Sequence, residues 1–228
     1  MTTPRPLVMK FGGTSVEDAP ALARAAEIVG ARKYQRPVVV VSAMSRVTDA
    51  LLAAFRRADA GDAEGALSSL TPHFARHMDA AQSLVSGGAV SDFADAIEDA
   101  RREISSLLRE VSGERAARAR PPALLQDAVV SFGERLSSTL FSAILRAQGL
   151  DSRTVDARRC VVTDDEHACA APLQEETDLC TRAEIEPLIN ANVIPVLGGF
   201  IGATPEGETT TLGRGGSDYS AALVGAAL

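Results

Sequence analysis

The run Pro37 to Ser42, PVVVVS, constrains this chain more than any other stretch. Consecutive β-branched residues favour a strand. A strand that is apolar at every position has no face to offer to water, so it belongs inside a sheet covered on both sides. Pro6 to Phe11, Ser152 to Asp156 and Asn192 to Gly198 read as further strands. Helical spacing lies between them. Glu17 to Lys33 places Leu22, Ala25, Ala26 and Val29 on one face, and Arg135 to Gln148 does the same with Leu136, Leu140, Ile144 and Ala147. Thr181 with Glu184 reads as a capping box that opens a short helix interrupted near Pro187. Strands alternating with helices predict an α/β fold around a parallel sheet. From about 48 to 120 the strand pattern is weak and Ala, Arg, Asp and Glu abound, which predicts a helical insertion with GERAARARPP as its exit linker. A solvated charged face accounts for that stretch without any chemistry.

Composition removes several function classes. The 228 residues, 46% of them hydrophobic, suit one domain or most of one. A net charge of −7 with Arg scattered among Asp and Glu, 4% aromatics and no Trp argues against a nucleic-acid surface. The three cysteines, Cys160, Cys169 and Cys180, have no CxxC spacing; they fit small buried side chains in a reducing compartment better than disulfides or zinc, and no metal ligands are assigned. No apolar run approaches a membrane span, and Pro4 and Pro6 stand where a secretory apolar segment would be, so a cytoplasmic protein is expected.

Four stretches can carry chemistry, all where strands end or helices begin. KFGGTS, with Lys10, Gly12, Gly13 and Ser15, can form a phosphate cradle, but taken alone it reads more readily as a tight turn before a capped helix. It is neither a Walker A loop nor a GxGxxG turn. SAMSRVT, with Ser42 and Thr48, is a strand exit with Ser and Thr as caps or as ligand contacts. SFGERLSSTL puts Glu134 at the first turn of an apolar helix, where an acid also suits the helix dipole. The glycine pair Gly198–Gly199 leaves a strand, as a bulge or as a phosphate contact. It is followed by GRGGSD, in which Arg214, Gly216, Ser217 and Asp218 sit at the mouth of an Ala-rich helix. That last turn points to anion binding through backbone N–H groups and a two-pronged guanidinium. His73, His77 and His167 lie outside every motif and read as surface or packing residues.

Together, KFGGTSV, SAMSRVT, SFGERLSSTL, GGFIG and TTTLGRGGSDYSAAL resemble the aspartate kinases of the amino acid kinase superfamily, over the whole chain. The resemblance implies a three-layer α/β/α sandwich with a mainly parallel sheet. It implies phosphorylation of the side-chain carboxylate of L-aspartate by MgATP, the step that opens the route to lysine, threonine and methionine, and a homo-oligomer in the full-length form. Lys10 matches the lysine that meets the transferring phosphoryl group, and Asp218 the aspartate that orients it. Arg214 matches a carboxylate contact, Glu134 an ammonium contact, and Ser42 and Thr48 further substrate-pocket positions. Gly12, Gly13, Ser15, Gly198, Gly199, Gly216 and Ser217 fall on the nucleotide side. Arg46 stands where many members carry a small residue.

The chemistry suits this inventory. A carboxylate nucleophile, with a pKa of about 4, is already ionised at neutral pH and needs no general base. The obstacle is repulsion between two anions, which a lysine, backbone N–H groups and a metal relieve. In the family the next strand leads to a WTDVDG-type loop of the nucleotide site and then to regulatory ACT domains. The expectation is therefore the N-terminal portion of a catalytic domain, residues 1–228, incomplete at its C-terminus and weak in ATP binding by itself. Two other readings remain: a kinase for another acid, which Glu134 with Arg214 disfavours, and a non-catalytic remnant that binds a ligand or a partner chain.

Overall fold

The computed structural model describes residues 5–113 and 120–228. The chain opens with β1 (Leu7–Phe11), α1 (Ala19–Gly30) and β2 (Pro37–Val41). The helices α2 (Val47–Asp59), α3 (Ala63–Ser69), α4 (Thr71–Leu84) and α5 (Gly88–Ser112) follow. Then come α6 (Pro122–Val130), α7 (Phe132–Ala147), β3 (Ser152–Val155) and α8 (Gln174–Asn190). The chain closes with β4 (Ile194–Gly198), β5 (Ile201–Ala203), β6 (Thr209–Thr211) and α9 (Gly216–Ala227).

Strands β1, β2, β4 and β3, in that order, form one parallel sheet. Every residue of β2 and β4 is buried, as the valine run requires. Because successive strand residues face opposite ways, Val39 and Val41 join one apolar cluster and Val38 and Val40 another. The first cluster takes Leu22 and Val29 of α1 and Leu140 and Ile144 of α7; the second takes Ile185 and Ile189 of α8 and Leu223 and Val224 of α9. The result is an α/β/α arrangement around a parallel sheet. Helices α2 to α5 run from Val47 to Ser112 and add Leu51, Phe55, Phe74, Ile104 and Leu108 to the first cluster. The middle of the expected exit linker, residues 114–119, lies outside the described residues.

One local expectation needs correction, and one element is an addition. Helix α8 is continuous through Thr181 and Pro187 rather than opened by one and interrupted by the other. Thr181 is buried inside it, and its hydroxyl donates to the Cys160 carbonyl at 3.2 Å, so the side chain serves a tertiary contact instead of a cap. Pro187 removes an N–H only in the last turn, where Ile185 and Ile189, buried against the sheet, hold the helix together. The addition is the antiparallel pair β5–β6, with Ile201 opposite Thr211, in a stretch to which the sequence reading assigned no strand. Each strand has three residues, too few to show a period.

Asp127 of α6 ties this hairpin to the helices. Its buried carboxylate accepts from the Thr211 hydroxyl (2.6 Å), the Thr211 N–H (3.2 Å), the Ala168 N–H (2.8 Å) and His167 Nδ1 (3.1 Å). Burial raises its pKa, and the Thr211, Ala168 and His167 bonds work in the opposite direction. Asp127→Ala is expected to cost about 3 kcal/mol, because it leaves several buried donors without an acceptor. For a domain of this size that is a fall in Tm of roughly 6–12 °C by thermal melt. A melt within about 2 °C of wild type would remove this role.

Candidate active site

A cavity of about 380 Å³ opens at the carboxyl ends of β1, β2 and β4, the region where open α/β sheets bind ligands. Its walls are Lys10 of β1, Gly13 of the next turn, Ser42 to Arg46 after β2, Thr48 and Asp49 of α2, Glu134 of α7, Phe200 after β4, and Gly213 with Gly215 to Asp218 at the start of α9. These segments meet because the strand exits stay side by side: the Ser42 N–H donates to the Phe11 carbonyl at 3.0 Å and the Gly199 N–H to the Val41 carbonyl at 2.8 Å.

Lys10 and Asp218 form an ion pair at 2.9 Å across the cavity. Asp218 lies in the first turn of α9, where the helix dipole also favours a carboxylate. The ammonium lies beside Gly12, where a Cβ would make only ordinary contact with Lys10 Nζ at 3.6 Å.

Glu134 is only 3% exposed. One oxygen, Oε1, accepts from the Ala43 N–H at 3.1 Å, while Oε2 is buried with no hydrogen-bond partner. Burial pushes the carboxyl up from 4.5 to about 8, against the Ala43 bond, which favours the ionised form. Ser137, one turn on, accepts the Met44 N–H at 3.1 Å. The backbone donors leaving β2 are therefore taken by α7 and are not available to cradle a phosphate.

The glycine pair after β4 has a packing task. A Cβ on Gly198 would come within 2.8 Å of Glu134 Cβ, and one on Gly199 within 2.7 Å of Ser217 Cα and Cβ. These two positions let α7 and α9 reach the end of the sheet, and neither lines the cavity. Of the other residues singled out in the sequence, Lys10, Gly13, Ser42, Thr48, Glu134, Gly216, Ser217 and Asp218 line it, while Gly12, Ser15 and Arg214 do not. Ser15 is exposed, and its N–H closes a turn on the Gly12 carbonyl at 2.8 Å. Arg214 is exposed between two glycines that do line the cavity. The sequence reading missed Ala43, Met44, Ser45, Arg46, Asp49 and Phe200 as wall residues. All lie within or next to motifs already quoted, but nothing local marks which side chains face inward.

None of the histidines reaches this cavity. His77 is buried, its Nδ1 2.7 Å from the His73 carbonyl, and burial lowers its pKa to about 4. His167 belongs to the Asp127 cluster. Among the described residues no group of three or more His, Cys, Asp or Glu is placed to hold a metal ion, and no helix is long and apolar enough to cross a membrane.

Residues 5–228 match the amino acid kinase family. The chain belongs to that family. This amino acid kinase is 36% identical over 229 residues to the lysine-sensitive aspartokinase 3 of Escherichia coli K12, an alignment that covers 97% of the chain and 46% of that protein. It is 34% identical over 222 residues to the aspartokinase of Chlamydia muridarum, covering 96% of the chain and 45% of the relative. The chain thus spans about half the length of the curated relatives it matches. Among solved structures, E. coli aspartokinase III in complex with aspartate and ADP superposes with a TM-score of 0.82 at 32% identity, over 98% of this chain and 47% of that one. The same enzyme in complex with lysine and aspartate superposes with a TM-score of 0.84.

The buried carboxyl makes this amino acid kinase pH-sensitive in a defined direction. Below about pH 4.5 Glu134 is protonated both folded and unfolded. As pH rises towards 8 the unfolded state ionises and the folded state does not, so stability is lost across that window, by at most about 1.4 kcal/mol per pH unit. Glu134→Gln is expected to abolish this slope and so to gain on wild type between pH 5 and 8. Urea unfolding curves at the two pH values check it; equal differences at both would mean that Glu134 is not desolvated.

Proposed function

We propose that these residues carry the acceptor pocket and part of the phosphate machinery of an aspartate kinase, which transfers the γ-phosphoryl group of ATP to the side-chain carboxylate of L-aspartate. The observation that carries this reading is Glu134, a buried carboxyl with one unpartnered oxygen, in the wall of a cavity that also holds the Lys10–Asp218 pair. An ammonium group would satisfy that oxygen and relieve the burial of its charge. The likeness to a structure that holds aspartate and ADP supports the same substrate and nucleotide.

In this reading Glu134 binds the α-ammonium, Ser42 and Thr48 complete the acceptor wall, and Arg214 turns in from its glycine-flanked loop to meet a carboxylate. Lys10, oriented by Asp218, faces the phosphoryl group and offsets the charge that grows on its oxygens in transfer. Ser217 and Gly216, at the N-terminus of α9, offer N–H groups and positive helix potential on the same side. The acceptor arrives ionised, so no general base is required, and none of the histidines lies in the cavity. Magnesium would come with ATP as part of the substrate, held chiefly by phosphate oxygens and water.

Two measurements test the reading. Binding of L-aspartate at pH 7, followed by calorimetry in buffers of different ionisation enthalpy, is expected to release about one proton, because Glu134 is protonated before the ammonium arrives. Affinity should rise from pH 6 to 8 and then level off. Aspartate binding without proton release would take the ammonium away from Glu134. In a kinase assay of a protein that contains these residues, Lys10→Met should lower kcat by more than about tenfold with little change in aspartate affinity; a smaller fall would remove Lys10 from the transfer step.

A further inference from the structure

Arg46 adopts φ 69° and ψ −1°, the left-handed region that only glycine enters without strain. Such a conformation persists where the surroundings enforce it. Here they do: the loop is pinned by Ala43 N–H to Glu134, Met44 N–H to Ser137, Ser45 N–H to the Gly13 carbonyl at 3.2 Å, and Arg76 of α4 to the Ser45 carbonyl at 2.6 Å. Glycine would suit this backbone better, and the chain has an arginine.

That arginine lines the cavity. Its side chain is exposed and makes no hydrogen bond or ion pair with another described residue. Lys10, the other cation in the wall, is committed to Asp218. Asp49, one turn along α2, also lines the cavity but forms no ion pair with Arg46. Arg76 is close enough for the two guanidinium groups to repel each other, while Glu17 and Asp18 attract that of Arg76. A planar guanidinium on a rigid loop beside Ser42 and Thr48 suits a carboxylate.

We propose that Arg46 contacts a carboxylate of the acceptor and favours dicarboxylic ligands. The proposal rests on the reading that this cavity is the acceptor pocket. It does not depend on the ammonium contact at Glu134, and that separates the two in an experiment. Succinate carries both carboxylates and lacks the ammonium, whereas L-aspartate carries all three groups.

The test is calorimetric titration of the whole chain with L-aspartate, succinate and inorganic pyrophosphate, for wild type, Arg46→Gly and Arg46→Gln. Wild type is expected to bind succinate and aspartate, and both variants to weaken both ligands by about tenfold or more, the scale of one charge-assisted contact. Pyrophosphate affinity should stay within about twofold. Arg46→Gly should melt at or above the wild-type temperature, since glycine relieves the left-handed backbone, so weaker binding cannot be put down to misfolding. Succinate and aspartate affinities within about twofold of wild type in both variants would overturn the proposal. A loss confined to pyrophosphate would overturn it by moving Arg46 to the phosphate side. Arg46-dependent succinate binding without aspartate binding would uphold Arg46 and remove aspartate as the acceptor. Wild type that binds neither carboxylate ligand would overturn both readings.

Discussion

The geometry of the site depends on how closely the first turn of α7 approaches the ends of β2 and β4. Gly133 and Gly198 make that approach possible: a Cβ on the first would stand 2.8 Å from Ala43 Cβ, and one on the second 2.8 Å from Glu134 Cβ. With both positions bare, Glu134 and Ser137 reach the N–H groups of Ala43 and Met44 and pin the loop after β2. The same approach removes Glu134 from water. One contact therefore shapes this wall of the cavity, the loop that carries Arg46 and the proton affinity of the buried carboxyl.

Charge in the cavity follows from that packing. Lys10 and Asp218 neutralise each other while remaining partly accessible, and burial raises the pKa of Glu134 to about 8. Arg46 is left as the unpaired cation of the wall among the described residues. Asp49 stands in the same wall one turn along α2. A low local dielectric strengthens a contact to any of these charges beyond its value in water.

The supports lie further out than the motifs. Arg76 extends from α4 to the Ser45 carbonyl, which couples the helices after β2 to the loop that carries Ser42, Arg46 and Thr48. Asp127 holds β6, the strand that leads directly into the Gly213–Asp218 turn, against α6, the helix that leads directly into α7. This buried carboxylate thereby helps to fix the two sides of the cavity relative to each other. Helix α9 completes the arrangement from the other face of the sheet, since Gly199 admits Ser217 into contact with the end of β4.

Much of the fold was legible in the sequence because its signals are local. The valine run of β2 could be read as a doubly buried strand without any knowledge of its neighbours, and apolar spacing named the buried residues of α1 and, in α7, Leu136, Leu140 and Ile144, whereas Ala147 in its last turn is exposed. Turn chemistry marked where β1 and β4 end, and Lys10, Glu134 and Asp218 stood out as charges at those ends. What lay beyond the sequence was every property set by a long-range partner. Glu134 looked like a dipole-compensating acid, and only the approach of α7 to the sheet made it buried and protonated. Gly198 and Gly199 looked like phosphate contacts until the helices they admit were in place. Thr181 looked like a cap until the Cys160 carbonyl took its hydroxyl, and the β5–β6 pair was too short to have a period at all. Spacing and turn preference are written along the chain, whereas burial, proton affinity and close approach depend on residues brought together from far apart in it, and those were decided by the tertiary structure alone.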